Sequence, residues 1–209
     1  VISEPTLKFN FTKELYMDAI GRIKDYITAG DVYQVNLSQR IETHIDIPPY
    51  ELYKKLRSIN PAPFSSYLAF DDVAIISSSP ERFLKVNDRH VQTRPIKGTR
   101  PRGGDIKTDE MMKQALLASQ KDNAELTMII DLERNDLGRV CDYGSVKVTE
   151  RKVLETYPTV YHLVSTIEGD LYERYDFIDL LKATFPGGSI TGAHAAQQPE
   201  LRAHPQQKQ

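Results

Sequence analysis

The apolar positions change period along the chain, and each change marks an element. Tyr16, Ala19, Ile20, Ile23, Tyr26 and Ile27 recur at helical spacing. Thr12 can cap that run and Gly30 can end it, so a helix is predicted between them. "DVYQVNLSQR" then alternates. Tyr33, Val35, Leu37 and Ile41 point one way, while Gln34, Asn36, Ser38 and Arg40 point the other, which predicts a strand. A second helix is predicted from Pro49 to Ser58. "VAIISSSPERFLKV" and "HVQTRPIKGT" predict two strands joined across Asn87-Asp88. Helices are predicted over Thr108 to Ala118 and over about Asp122 to Glu133. "NDLGRVCDYGSVKV" reads as a loop and a strand, and "VYHLVSTIEGDL" as another strand. "YDFIDLLKATF" is a last helix, stopped by Pro186-Gly187-Gly188. Helices and strands alternate without a βαβ rhythm. The expected class is α+β with largely antiparallel sheet.

Composition narrows the class further. The 209 residues are 40% apolar with a formal net charge of -2, enough for a core and no pointer to nucleic acid or an acidic membrane. The length fits one domain or part of a larger one. Cys141 is the single cysteine, so no intrachain disulfide forms and a reducing compartment fits. No apolar run is long enough to span a bilayer and no secretory signal opens the chain, so a cytoplasmic location is expected. The segment from His194 to Gln209 is rich in Gln, Ala and Pro and lacks apolar periodicity, and is expected to be disordered.

Candidate chemistry concentrates in a few segments. Lys97 lies in "TRPIKGTRPRG". It can be a solvated basic-loop residue. Alternatively Arg94, Arg100 and Arg102 crowd it with like charge and favour a neutral, nucleophilic amine. The same arginines could hold a carboxylated substrate. Glu81 in "SSSPERF" is either an exposed strand-start carboxylate or a general acid facing the same cleft as Lys97. Glu125 shares a helical face with Ile129, Leu132 and Asp136, where a carboxylate needs a partner or a cation. Asp131, Glu133 and Asp136 read as surface or capping groups. His162 sits mid-strand, where a hydrogen-bonded core histidine is the ordinary case. "FPGGSITGA" could present backbone N–H groups to an anion or be a plain turn.

The order of "GDVYQVNLSQR", "NPAPFSSYL", "SSSPERF", "TRPIKGTRPRG", "AELTMIIDLERNDLGRV", "GSVKV", "HLVSTIEG" and "FPGGSITGA" resembles the chorismate-utilising enzymes, from about Thr12 to Ala193. That family includes anthranilate synthase component I, aminodeoxychorismate synthase component I and isochorismate synthases. Its anthranilate synthases usually read P-I-A-G-T where this chain reads "PIKGT", as aminodeoxychorismate synthases do. The resemblance therefore implies amination of chorismate at C4 to 4-amino-4-deoxychorismate, on the route to para-aminobenzoate and folate. Lys97 would be the covalent nucleophile, with ammonia supplied by a glutaminase partner. It further implies that Glu81 is the acid/base glutamate and Glu125 a ligand to Mg2+. Gln34, Thr99, His162, Thr191 and Gly192 would line the substrate site. Gln34 stands where isochorismate synthases carry a base lysine, which argues against water addition.

Family members continue after "GGSITGA" with P-K and further Mg2+ ligands, whereas His194 follows here. The expectation is a partial catalytic domain over 1–193 with a non-family tail over 194–209, inactive by itself. The alternatives are an anthranilate synthase component I, or a non-catalytic remnant that binds a glutaminase.

Overall fold

The computed structural model describes residues 6–192, so the predicted tail over 194–209 lies outside the described residues. The chain divides into two units, residues 1–44 with 190–209, and residues 45–189.

In the first unit, β1 (Lys8–Phe9) pairs antiparallel with β2 (Ile41–Glu42), and α1 (Lys13–Ala29) lies between them in sequence. The Thr12 side chain accepts from Leu15 N–H, and Gly30 caps the other end, so this helix starts and stops where its sequence predicts. The strand predicted over "DVYQVNLSQR" does not form. Among the described residues, 33–40 make no ladder; Val32 forms a single bridge, and β2 starts at Ile41. Alternation sets which way side chains point, but a strand also needs a neighbour for its backbone groups.

The second unit opens with α2 (Pro49–Ile59), followed by the hairpin of β3 (Phe64–Ala69) and β4 (Ala74–Ser79). Then come β5 (Arg82–Asn87), β6 (His90–Arg94) and β7 (Ile96–Pro101). The two long strands predicted here are thus four, broken at Pro80-Glu81 and at Pro95, where a proline lacks the N–H a ladder needs. The β5–β6 turn falls at Asp88 and Arg89, with Asn87 opposite His90. Two helices follow, α3 (Ile106–Ala118) and α4 (Gln120–Gly138), then β8 (Lys147–Thr156), β9 (Val160–Asp170) and α5 (Phe177–Thr184). The short α6 (Gly188–Thr191) ends the described chain. Asp105 and Ser119 cap α3 and α4, each a little ahead of the predicted start. The α4 helix also runs on through "NDLG", which the sequence suggested was loop.

β9 organises this unit. It pairs with β8 along its length, with β7 over its first half and with β6 over its second, all antiparallel. Almost every β9 residue is buried, because α4 lies against it and against β7. Leu116, Leu126, Ile130, Leu163, Ile167 and Leu180 form the heart of the core. The expected α+β class with antiparallel sheet is what forms.

Candidate active site

The break at Pro80-Glu81 puts a carboxylate beside the start of β7. Glu81 Oε1 accepts from the Ile96 N–H at 2.9 Å and from the Ser189 hydroxyl at 2.8 Å. The next residue along β7 is Lys97. Its Nζ donates to Ser189 Oγ at 2.9 Å and to the Ser189 carbonyl at 3.2 Å. Ser189 therefore bridges amine and acid, forming a continuous path for a proton between them. Sequence reasoning marked its segment for backbone N–H groups, and the hydroxyl went unnoticed. Gly98 lets β7 bulge just after Lys97. It has φ +80, and a Cβ there would come within 2.9 Å of Asp122 Cβ and Leu116 Cδ1. An open cleft of about 770 Å³ beside Glu81 is lined by Phe64, Ser79, Phe83, Phe177 and Leu181 among others. Lys97 is not among its lining residues.

The arginines do not crowd Lys97 with unmatched charge, as the sequence suggested. Arg94 pairs with Glu155 at 2.7 Å and Glu150 at 3.3 Å. Arg100 pairs with Asp122 at 2.8 Å. Arg102 grips both oxygens of Asp109 at 2.7 Å. Each cation has its own carboxylate: α3 and α4 bring Asp109 and Asp122 to Arg102 and Arg100, and β8 brings Glu150 and Glu155 to Arg94 of β6.

Behind the Lys97 path lies an acid that sequence reasoning assigned to the surface. Glu133 of α4 is 3% exposed. Burial, Asp136 and Glu81 push its carboxyl up to about 7, while a donated hydrogen bond from Thr93 and the charge of Lys97 oppose them. Asp136, also assigned to the surface, is buried and paired with Arg139. The signal available in sequence was spacing. Ile129, Ile130, Glu133, Asp136 and Leu137 share the buried side of α4.

Thr99 and His162 face each other across β7 and β9, with Thr99 Oγ1 and His162 Nδ1 2.8 Å apart. Burial lowers the His162 pKa against the opposing charges of Glu155 and Glu81, which favours the neutral ring. Tyr157 packs against that ring. In the first unit, Gln34, Thr191 and Gly192 come together. Gly192 has φ +91, and a Cβ there would lie 2.1 Å from the Gln34 carbonyl oxygen. Asn36 Nδ2 donates to the Ile190 carbonyl at 2.7 Å. Among the described residues the Gln34 side-chain oxygen is enclosed without a hydrogen-bond partner.

Glu125 is one-third exposed and stands 3.8 Å from Lys121. No three His, Cys, Asp or Glu side chains gather among the described residues as a cation would require. One carboxylate does not satisfy octahedral Mg2+, so the described residues do not by themselves fit the metal. No helix among them is long and apolar enough to cross a membrane.

The family described as chorismate binding enzyme matches residues 2–196. Aminodeoxychorismate synthase component 1 of Bacillus subtilis is 45% identical over 191 residues, covering 91% of this chain and 41% of that protein. Anthranilate synthase component 1 of Pseudomonas aeruginosa is 46% identical over 200 residues, covering 96% and 40%. The chain thus spans about 40% of the length of these curated relatives. The crystal structure of anthranilate synthase component I from Streptococcus pneumoniae TIGR4 superposes with a TM-score of 0.79 at 33% identity, covering 90% of this chain and 41% of that one.

Proposed function

The chain belongs to the chorismate binding enzyme family, and from that premise we propose that it carries the amine-bearing part of an aminodeoxychorismate synthase component I. Overall identity favours neither synthase, since relatives of both kinds match equally well. The observation that carries the reading is Lys97, with its Nζ hydrogen-bonded to a serine that donates to Glu81.

The chemistry follows from that chain of groups. Lys97 gives a proton to Ser189 Oγ while Ser189 passes its own to Glu81, leaving a neutral amine and a protonated acid. The amine attacks C2 of chorismate. Both conjugated ring double bonds shift, C1=C2 to C1=C6 and C5=C6 to C4=C5, as the C4–O bond breaks, and Glu81 protonates the departing oxygen so that water leaves. Ammonia then attacks C4, both double bonds shift back, and the C2–Nζ bond breaks. Lysine departs as the neutral amine and 4-amino-4-deoxychorismate carries the new ammonium group. Thr99 and the neutral His162 offer a polar wall to the substrate. The ammonia would come from a glutaminase partner. Glu125 is proposed as one ligand to Mg2+, whose charge would hold a substrate carboxylate, and no step here is routed through the metal.

The test is to incubate a protein that carries this segment within a chain of its relatives' full length with chorismate and Mg2+ but no ammonia, digest it, and search by mass spectrometry for a chorismate adduct. An adduct on Lys97 that disappears when ammonium is added, with aminodeoxychorismate as product, is the expected result. A fluorescent anthranilate product, or an adduct on another residue, would overturn the assignment.

A further inference from the structure

Ser189 joins the amine and the acid of the candidate site, so whatever fixes Ser189 fixes the path between them. The residue before it is Gly188, which is buried and pressed against α4. A Cβ on Gly188 would lie 1.9 Å from Leu132 Cδ2 and 2.7 Å from Leu132 Cγ. Carbon atoms in ordinary contact stand about 3.5 Å apart or more, so a side chain fits there only if one partner moves. The need is for space alone, since Gly188 does not have the left-handed φ of Gly98 and Gly192. Gly187 is less tightly placed, with its Cβ position 3.2 Å from the edge of the Phe83 ring. The chain leading into this turn is anchored as well. Arg139, paired with the buried Asp136 of α4, donates to the Ala183 carbonyl near the end of α5 at 2.7 Å. Phe185, in the turn, packs edge-on against Phe83 of β5. Held in this way the turn has little slack, and the approach of Gly188 to Leu132 sets how far Ser189 reaches toward β7.

We infer that Leu132 is a positioning residue for Ser189. Its side chain is the stop on which Gly188 rests, and that contact places the Ser189 hydroxyl 2.9 Å from Lys97 Nζ and 2.8 Å from Glu81 Oε1. α4 is packed against β7 and β9, and Leu132 Cγ as well as its methyl end is in the way, so a methyl added at Gly188 displaces the turn. The displacement needed is about 1.5 Å. Hydrogen bonds of this length do not survive such a shift, and the path between amine and acid opens. The effect on rate rests on the reading of Lys97 as the attacking amine. The effect on the amine itself is measurable without chorismate.

Wild type, Gly188→Ala, Leu132→Ala and the double variant are compared, each within a chain of its relatives' full length. Trace acetylation with acetic anhydride at a fixed alkaline pH, read by peptide mass spectrometry, gives the reactivity of Lys97 against that of Lys121, which is 82% exposed. Gly188→Ala should label Lys97 roughly 3- to 10-fold faster, the worth of one lost hydrogen bond, with Lys121 unchanged. Its kcat should fall by about 10²-fold with KM little changed, as a misplaced reacting group requires. Leu132→Ala removes the stop and should itself speed Lys97 labelling. It leaves only Cβ, 3.6 Å from the place of the new methyl. In that background the Gly188→Ala methyl refills the space and should slow Lys97 labelling back toward wild type. The sign of one substitution thus reverses with the residue at 132, which a general loss of packing does not produce. Lys97 labelling indifferent to Gly188→Ala, or raised by it in both backgrounds, overturns the inference. If Gly188→Ala alone does not fold, Leu132→Ala against the double variant decides. If the labelling pattern holds while the chorismate adduct forms on another residue, the seat stands and the assigned reaction falls.

Discussion

Two clusters flank β7, and they are built on opposite rules. At its far end every charge has a matched partner. Arg102 holds both oxygens of Asp109, which also accepts from the Tyr161 hydroxyl at 2.7 Å and the Gly103 N–H at 2.9 Å. These donors, Arg102 foremost, hold the Asp109 carboxyl well below the usual range. At its near end Lys97 and Glu81 share the Ser189 hydroxyl, and Glu133, bonded to Thr93, is pushed up to about 7. Matched charge holds chain segments together. Under-matched charge leaves protons free to move, which is the property a site for chemistry needs.

The sharpest way to break this contrast is Glu81→Gln. The amide keeps most of the shape but neither takes nor returns a proton. In the active protein kcat should fall by about 10²–10⁴, with little change in folding stability. A change confined to KM would reduce Glu81 to a binding group. The near cluster would then be structural too.

Glu133 gives the next effect, seen in stability against pH. Its folded value of about 7 lies above the ordinary 4.5. Between those values the unfolded chain has released the proton and the folded chain keeps it. The stabilisation is full below 4.5, declines as pH rises, and is gone above about 7. The swing is roughly 3 kcal/mol. Glu133→Gln should lack it, so denaturation at pH 4 and pH 8 should show the wild type losing ground to the variant as pH rises. Parallel curves would mean that folding leaves the Glu133 carboxyl at its ordinary value.

Asp109→Asn probes the matched cluster and has the opposite sign. A lowered folded value means stability present above the ordinary 3.8 and lost as pH falls below it. The variant should be less stable than wild type at neutral pH and should converge with it in acid. It should leave Lys97 labelling untouched. A shift in Lys97 reactivity would show that the two clusters are coupled across β7.

Much of this was legible in the sequence, for identifiable reasons. Helix α1 was, because Thr12 and Gly30 act locally. Lys97, Glu81 and His162 stood out in their segments and Thr99 through the family resemblance; the fold joins Lys97 to Glu81 through Ser189 and sets Thr99 beside His162. Partnership over distance was not legible. The arginines near Lys97 look unmatched until Glu155, Asp122 and Asp109 reach them from other elements. Tyr33 to Arg40 has a strand's alternation but, among the described residues, no partner strand. Glu133 was assigned to the surface because one helix face cannot be chosen over another until the sheet that covers it is known.

The smallest expected effect comes from Glu125, on the same helix as Glu133 and two turns before it. Sequence put Glu125 on the buried stripe with Ile129 and Asp136. Ile129 and Asp136 are indeed buried, yet the Glu125 side chain is 32% exposed. Among the described residues its ionic neighbour is Lys121, 82% exposed at 3.8 Å, a pair that solvent screens almost fully. Glu125→Gln should therefore change stability by no more than about 0.5 kcal/mol in the absence of metal, at any pH between 5 and 8. A larger loss would mean that Glu125 belongs with the buried acids. In the active protein the same variant should need more Mg2+ for half-maximal rate, because a carboxylate is a far better ligand for a hard cation than an amide. An unchanged Mg2+ requirement would remove Glu125 from the metal's surroundings and leave it a surface residue of α4.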